Sequence, residues 1–246
     1  MIKATYQKYI LDFKQASGTS RGVLTQKETW FLILEKHNKK GIGECGILRG
    51  LSIDDRPNYE EKLQWICQNI HLGKQKLYDD LTEFPSIQFG VEMAFLSLES
   101  ENPLELFPSE FTENNESIDI NGLVWMGEPS YMKEQIEQKI AENFTCIKLK
   151  IGAIDFNKEL ELLQFIRTHF DAKTIEIRVD ANGGFSPEEA LSKLNQLHKF
   201  DLHSIEQPIR QHQIAEMKKL CQETPFPIAL DEELIGVFSL EHKEEL

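Results

Sequence analysis

Four ionisable residues recur along the second half of the chain, each at the end of an apolar run: Lys150 in CIKLKIG, Asp180 in RVDANGGF, Glu206 in SIEQPI and Asp231 in ALDEEL. The steps from 150 to 180, to 206 and to 231 are 30, 26 and 25 residues, each the length of one strand and one helix. The intervening sequence agrees. Strand-like runs at 118–125, 146–152, 174–185, 202–209 and 225–234 alternate with helix-like runs at 129–144, 155–170, 186–200 and 211–224. The stretch 239–246 reads as the opening turns of another helix. Strict alternation predicts a parallel sheet, doubly wound or closed into a barrel. In a (β/α) barrel the four residues stand at the C-terminal rim, where active sites are built.

CIKLKIG sharpens the argument. Lys148 and Lys150 lie two apart on a strand, so both point to one side, and two like charges buried in an apolar core are very costly. Three carboxylates converging from neighbouring strands repel one another unless a cation sits among them. Oxygen-only ligands select a hard divalent ion, Mg²⁺ first, with Mn²⁺ as the alternative. A neighbouring ammonium and a divalent ion both disfavour a charged amine, which suits Lys150 to act as a base. Taken singly, each acid reads equally as a helix cap or surface charge, and the lysines as the wet face of an edge strand. Four such residues in one register are what those readings leave unexplained.

The first part of the chain is organised differently. Runs at 2–13 and 22–36 read as strands joined by the turn-rich KQASGTSRG, and GIGECGIL is a short third strand with glycines where backbones approach closely. Two helices follow, 56–71 with Leu63, Ile66, Cys67 and Ile70 at helical spacing, and a more apolar one at 85–100. Strands followed by helices predict an α+β domain over 1–112. The polar FTENNES, 111–117, marks the boundary, and the barrel domain occupies 118–246.

A net charge of −14 opposes nucleic acid and anionic membrane surfaces. The N-terminus has no continuous apolar core of a signal peptide, and no run approaches the ~20 apolar residues of a membrane span. Cys45, Cys67, Cys146 and Cys221 are scattered, which suggests neither a zinc site nor a disulfide framework and points to the cytoplasm. G-x-S-x-G, P-loop and H-E-x-x-H motifs are absent. The histidines take structural readings; His203 points to the opposite side of its strand from Glu206.

K-x-K, D-A-N, E-Q-P and D-E at these intervals resemble the enolase superfamily, in its muconate-lactonizing subgroup. GIGECGIL resembles the G-x-G-E strand of that family's N-terminal capping domain, so the likeness spans essentially the whole chain. KLKIGAIDF, RVDANGGFSPEEAL, HSIEQPI and ALDEELIG are most similar to the subgroup's o-succinylbenzoate synthases of menaquinone biosynthesis. The resemblance implies an α/β fold, an α+β cap with a (β/α)7β TIM-like barrel, and a lyase working with Mg²⁺ on an ene-diolate. It implies a small carboxylate substrate, with Lys150 as base and Lys148 as its companion. Asp180, Glu206 and Asp231 match the metal ligands. Arg178, on the same face as Asp180, is expected either to meet a substrate carboxylate or to pair with a ligand carboxylate. Asn182 is expected to touch substrate or orient a metal ligand. SGTSRG, containing Ser20 and Arg21, matches the loop that closes over substrate. N-acylamino acid racemases and dipeptide epimerases of the superfamily share these motifs and are the alternative.

One feature of the family is missing. Its second lysine, on the sixth barrel strand, is expected about 25 residues beyond Asp231, past Leu246. About five barrel strands are present, which predicts an incomplete barrel with an exposed apolar edge. The chain alone is therefore expected to lack substantial dehydratase activity, as a fragment that needs its C-terminal segment.

Overall fold

The computed structural model describes residues 1–19 and 22–244. The chain divides into two compact units, Met1–Ile118 and Asp119–Leu246. Ser20 and Arg21, assigned to substrate by resemblance, lie outside the described residues.

In the first unit, β1 (Lys3–Thr19), β2 (Gly22–Lys36) and β3 (Lys39–Ile47) form an antiparallel sheet in that order. Trp30, Leu32 and Leu34 alternate along β2 and are at most 1% exposed, the two-residue period of a half-buried strand. They share a core with Leu63 and Ile66 of α1 (Tyr59–Asn69), Leu77 of α2 (Lys74–Asp79), and Ile87, Val91 and Ala94 of α3 (Pro85–Glu99). β1 runs further than its turn-rich sequence suggests. Its pairing with β2 reaches Asp12↔Gln26, shifts register, and resumes at Ser17↔Leu24. Ladder bonds are made by the backbone, so a polar stretch stays paired while its neighbour strand continues.

The glycines of GIGEC sit where α3 meets β3. A Cβ on Gly43 would lie 1.8 Å from the Gly90 carbonyl oxygen, and one on Gly90 would lie 2.2 Å from Cys45 Sγ. Only glycine lets these backbones approach so closely.

Surface charge adds a pH dependence to this unit. Glu28 accepts from Arg49 at 2.7 Å and Lys8 at 2.8 Å, and these two cations hold its carboxyl at about 2. A depressed carboxyl stabilises the fold fully above its ordinary value of 4.5 and loses that contribution as pH falls toward about 2. Solvent screening at this partly exposed site limits the contribution to about 1 kcal/mol. Glu28→Gln is expected to flatten the acid limb of the stability curve across that window, read by urea unfolding at a series of pH values. Equal slopes for variant and wild type would contradict it.

In the second unit, β4 (Gly122–Val124), β5 (Cys146–Lys150), β6 (Glu176–Asp180), β7 (Ser204–Glu206) and β8 (Ile228–Ala229) form one parallel sheet in chain order. Helices α4 (Pro129–Ala141), α5 (Phe156–His169), α6 (Pro187–Leu197) and α7 (Ile214–Glu223) alternate with them, and α8 (Leu240–Glu244) follows. Val124, Ile147, Leu149, Ile177, Val179 and Ile205 occupy one face of the sheet and are at most 1% exposed. Met132, Ile136, Leu163, Ile166, Leu194 and Met217 bring all four helices into the same core. The opposite face carries the ionisable residues. Helices gathered on one face of sequential parallel strands make a barrel wall, not a doubly wound sheet. Among the described residues no helix is long and apolar enough to cross a membrane.

The end strands are shorter than the apolar runs predict. Residues 118–121 precede β4 without pairing, and β8 stops at Ala229 before the acidic DEE. Ser186 stands at the N-cap of α6, but its hydroxyl turns to Glu189 at 3.4 Å rather than to the helix backbone.

Candidate active site

Parallel register fixes which side chains share a level. Lys150 pairs with Asp180, and Asp180 with Glu206. One level below, Lys148 pairs with Arg178, and Arg178 with Ser204. All of these point away from the helix-covered face.

The lysines and two of the acids form one cluster. Lys150 Nζ donates to Asp180 Oδ2 at 2.5 Å. Lys148 Nζ donates to Glu206 Oε2 at 2.6 Å and lies 3.1 Å from Asp180 Oδ2. Asp180 is wholly buried. Burial works to raise its carboxyl, but the hydrogen bond from Lys150, contact with Glu206 and the charge of both lysines bring it below the usual range. Glu206 goes the other way: burial raises it, the bond from Lys148 lowers it, and the neighbouring Asp180 carboxylate leaves it raised. Burial disfavours the Lys148 ammonium, yet its bonds to Glu206 and Asp180 outweigh that and raise its pKa. The like charges of CIKLKIG are thus offset by two acids from the next strands.

The loops behind the cluster are held by groups that strand spacing did not single out. Asn182, at φ +43°, donates its backbone N–H to Asp180 Oδ1 at 3.0 Å. Its Oδ1 accepts from Lys150 Nζ at 3.0 Å, and its Nδ2 donates to Glu232 Oε1 at 3.0 Å. Buried Glu159 accepts the Gly152 N–H at 2.6 Å, tying the loop after Lys150 to α5. Gly184 packs against Gly152; a Cβ on it would meet the carbonyl oxygens of Ala181 and Gly152 at 2.8 Å. Gln207, fully buried in the E-Q-P motif, accepts the N–H groups of Asp231 at 3.1 Å and Glu233 at 3.2 Å. Glu159 is the acid in the first turn of α5, a position that carries no signal of its own in the sequence. The signal for Gln207 was present, an amide beside a site carboxylate, but its partners lie 24 and 26 residues on.

Two expectations change. The residue level with Glu206 on the last strand is Ala229, so Asp231 lies two positions beyond the shared level, and its side chain is exposed. The cause is Gln207, whose Oε1 takes the Asp231 and Glu233 N–H groups out of the ladder and into a 3₁₀ turn, Glu232–Leu234. Arg178 pairs with Glu176 rather than with a ligand carboxylate, and it lines a surface pocket with Asn121 and Cys146. Its Nε and Nη2 both reach Glu176 Oε1 at 2.7 Å, the acid two residues earlier on the same strand face.

Among the described residues, no three His, Cys, Asp or Glu side chains are gathered as they are around a bound metal ion. The groups present fit an oxygen-preferring cation by their chemistry. Asp180 and Glu206 are two carboxylates level with each other on neighbouring strands, both within reach of the Lys148 ammonium, at 3.1 and 2.6 Å. Close by, Glu232 Oε2 is buried with no hydrogen-bond partner.

Comparison with known proteins gives the same lineage for both halves. Residues 1–98 match the family described as MenC, N-terminal domain, and residues 131–243 match Enolase C-terminal domain-like. An o-succinylbenzoate synthase from Desulfotalea psychrophila is 43% identical, over 96% of this chain and 73% of its own length. The chain belongs to the o-succinylbenzoate synthase family of the enolase superfamily. A crystal structure of MenC from the same organism superposes with a TM-score of 0.83 at 38% identity, covering 98% of this chain and 74% of that one. The Thermosynechococcus elongatus o-succinylbenzoate synthase, solved with Mg in its active site, shares the fold at a TM-score of 0.73 and 20% identity, over 94% and 68%. A hydrophobic dipeptide epimerase from a Flavobacteria bacterium is 26% identical, over 94% of this chain and 68% of its own. Membership of this family makes the protein a lyase homologue, with the epimerases at greater distance.

Proposed function

We propose that this chain carries the o-succinylbenzoate synthase reaction, the Mg²⁺-dependent syn-dehydration of 2-succinyl-6-hydroxy-2,4-cyclohexadiene-1-carboxylate. The observation that carries this reading is 43% identity to an o-succinylbenzoate synthase across 96% of the chain. Lys150 Nζ removes the proton from the carbon bearing the carboxylate. The neighbouring carbon–oxygen bond breaks, hydroxide departs as water with the proton that Lys150 took up and gives back, and the ring becomes aromatic. Lys148, held charged between Glu206 and Asp180, keeps the two acids from repelling each other while the site is being filled.

Asp180, Glu206 and Asp231 are the residues we assign to Mg²⁺. Bound there, the ion would supply positive charge to the substrate carboxylate as negative charge develops on it. The shared level of Asp180 and Glu206 supports the assignment; Asp231 enters it from the turn that Gln207 holds. Arg178, engaged by Glu176, takes no substrate role in this reading.

A racemase or epimerase acting on N-acylamino acids or dipeptides uses the same first half-reaction, and the match to the hydrophobic dipeptide epimerase favours it as second reading. One experiment separates them. The full-length protein with Mg²⁺ in D₂O is offered the cyclohexadiene precursor and a panel of N-acylamino acids and dipeptides. Conversion of the precursor to the aromatic product is expected. Deuterium entering the α-carbon of a dipeptide, without dehydration of the precursor, would overturn the leading reading.

A further inference from the structure

Asn182 joins two groups of opposite hydrogen-bonding character. Lys150 Nζ, donating to Asp180 and Asn182 as it does here, acts as a donor, and the Glu232 carboxylate is an acceptor only. A side-chain amide between them has one satisfactory orientation: its oxygen toward Lys150 at 3.0 Å and its nitrogen toward Glu232 at 3.0 Å. The reverse orientation sets an N–H₂ against an ammonium and a carbonyl against a carboxylate. Glu232 therefore determines which end of Asn182 faces the lysine. The backbone supports the arrangement, because Asn182 is also pinned through its N–H to Asp180 Oδ1 at 3.0 Å. Glu232 itself is carried on the turn that buried Gln207 holds through the flanking N–H groups of Asp231 and Glu233.

We infer that Glu232 is a positioning residue for Lys150, acting through Asn182 and not by contact with the reacting atoms. The inference rests on the reading of Lys150 as the base. Its consequence is that the Lys150 ammonium is held by two oxygens on fixed supports, Asp180 Oδ2 and Asn182 Oδ1. An amine confined in this way keeps one position relative to a bound substrate, and small misplacements of a reacting group can cost about a hundredfold.

The replacement that probes the link most finely is Glu232→Gln. It keeps size and removes charge, and a glutamine amide accepts either orientation of Asn182, so the share of the constraint that Glu232 supplies is lost without a cavity. Asn182→Ala removes the link altogether. Two measurements test the inference. The first is hydrogen exchange of the Asn182 side-chain amide followed by NMR, which does not depend on turnover. A hydrogen bond to a charged acceptor contributes about 1.5–3 kcal/mol, so exchange is expected to be at least about tenfold faster in Glu232→Gln than in wild type. The second is a double-mutant cycle on dehydration by the catalytically active protein. Each single variant is expected to lower kcat about tenfold with KM changed less than threefold, and the double variant to match Asn182→Ala alone.

Unchanged amide exchange in Glu232→Gln would overturn the inference, as would additive effects in the cycle or a change confined to KM. If wild type dehydrates no precursor, the function proposed above fails, while the exchange measurement still decides whether Glu232 orients Asn182.

Discussion

In the full-length protein, Lys150→Met is expected to lower the dehydration kcat by about a thousandfold, within the range of about 10²–10⁴ for loss of a general base. The site explains why no neighbour substitutes. Lys148 is the other amine on the strand face, but its Nζ is committed to Glu206 at 2.6 Å and lies one level below. The variant also leaves Asp180, wholly buried, with Lys148 at 3.1 Å as its one remaining ammonium contact. A measurable loss of stability should therefore accompany the loss of rate. Circular dichroism and urea unfolding monitor the fold, and α-proton exchange in D₂O monitors the half-reaction. A folded variant retaining more than a tenth of wild-type turnover would remove Lys150 from the base role.

Gly43→Val is expected to be the most damaging single change in the first unit, costing more than about 3 kcal/mol, beyond the usual range for overpacking. The clash is with backbone: the new Cβ would lie 1.8 Å from the Gly90 carbonyl oxygen and 2.8 Å from the Ala94 nitrogen. Relief requires moving α3 away from β3, which opens the core around Val91 and Ala94. Gly50→Ala is the control. Gly50 has φ +75°, and a Cβ added there would meet nothing within 4 Å, so the substitution loses only the dihedral preference, about 1–2 kcal/mol. Urea unfolding of both variants compares lost space with lost conformational freedom. A cost for Gly43→Val no larger than for Gly50→Ala would refute the close-approach explanation.

These results depend on different amounts of information. The repeated strand–helix pattern was legible because each element carries its own hydrophobic period. The glycines of GIGEC were legible as sites of close approach, although their partner, Gly90 on α3, was not. Lys150, Asp180 and Glu206 fall on one level because parallel strands with successive crossovers of similar length present corresponding residues together. β1 beyond residue 13 was missed, because its polar composition resembles a turn while its backbone remains paired with β2.

The sequence by itself determined which strand face carries the charge, since side chains alternate along a strand whatever surrounds it. It also determined that two lysines needed acids nearby, because like charges sharing a face demand compensation. Only the tertiary structure decided the pairing. Strand spacing specifies a face but not a partner, so Arg178 turning to Glu176 was as compatible with the sequence as Arg178 turning to a substrate. Asp231 shows the same limit over a longer distance. Counting residues placed it level with Glu206, but the Gln207 amide, 24 residues earlier in the chain, draws its N–H out of the ladder. A side chain that competes for backbone hydrogen bonds acts through space, and its reach becomes visible only once the strands are assembled.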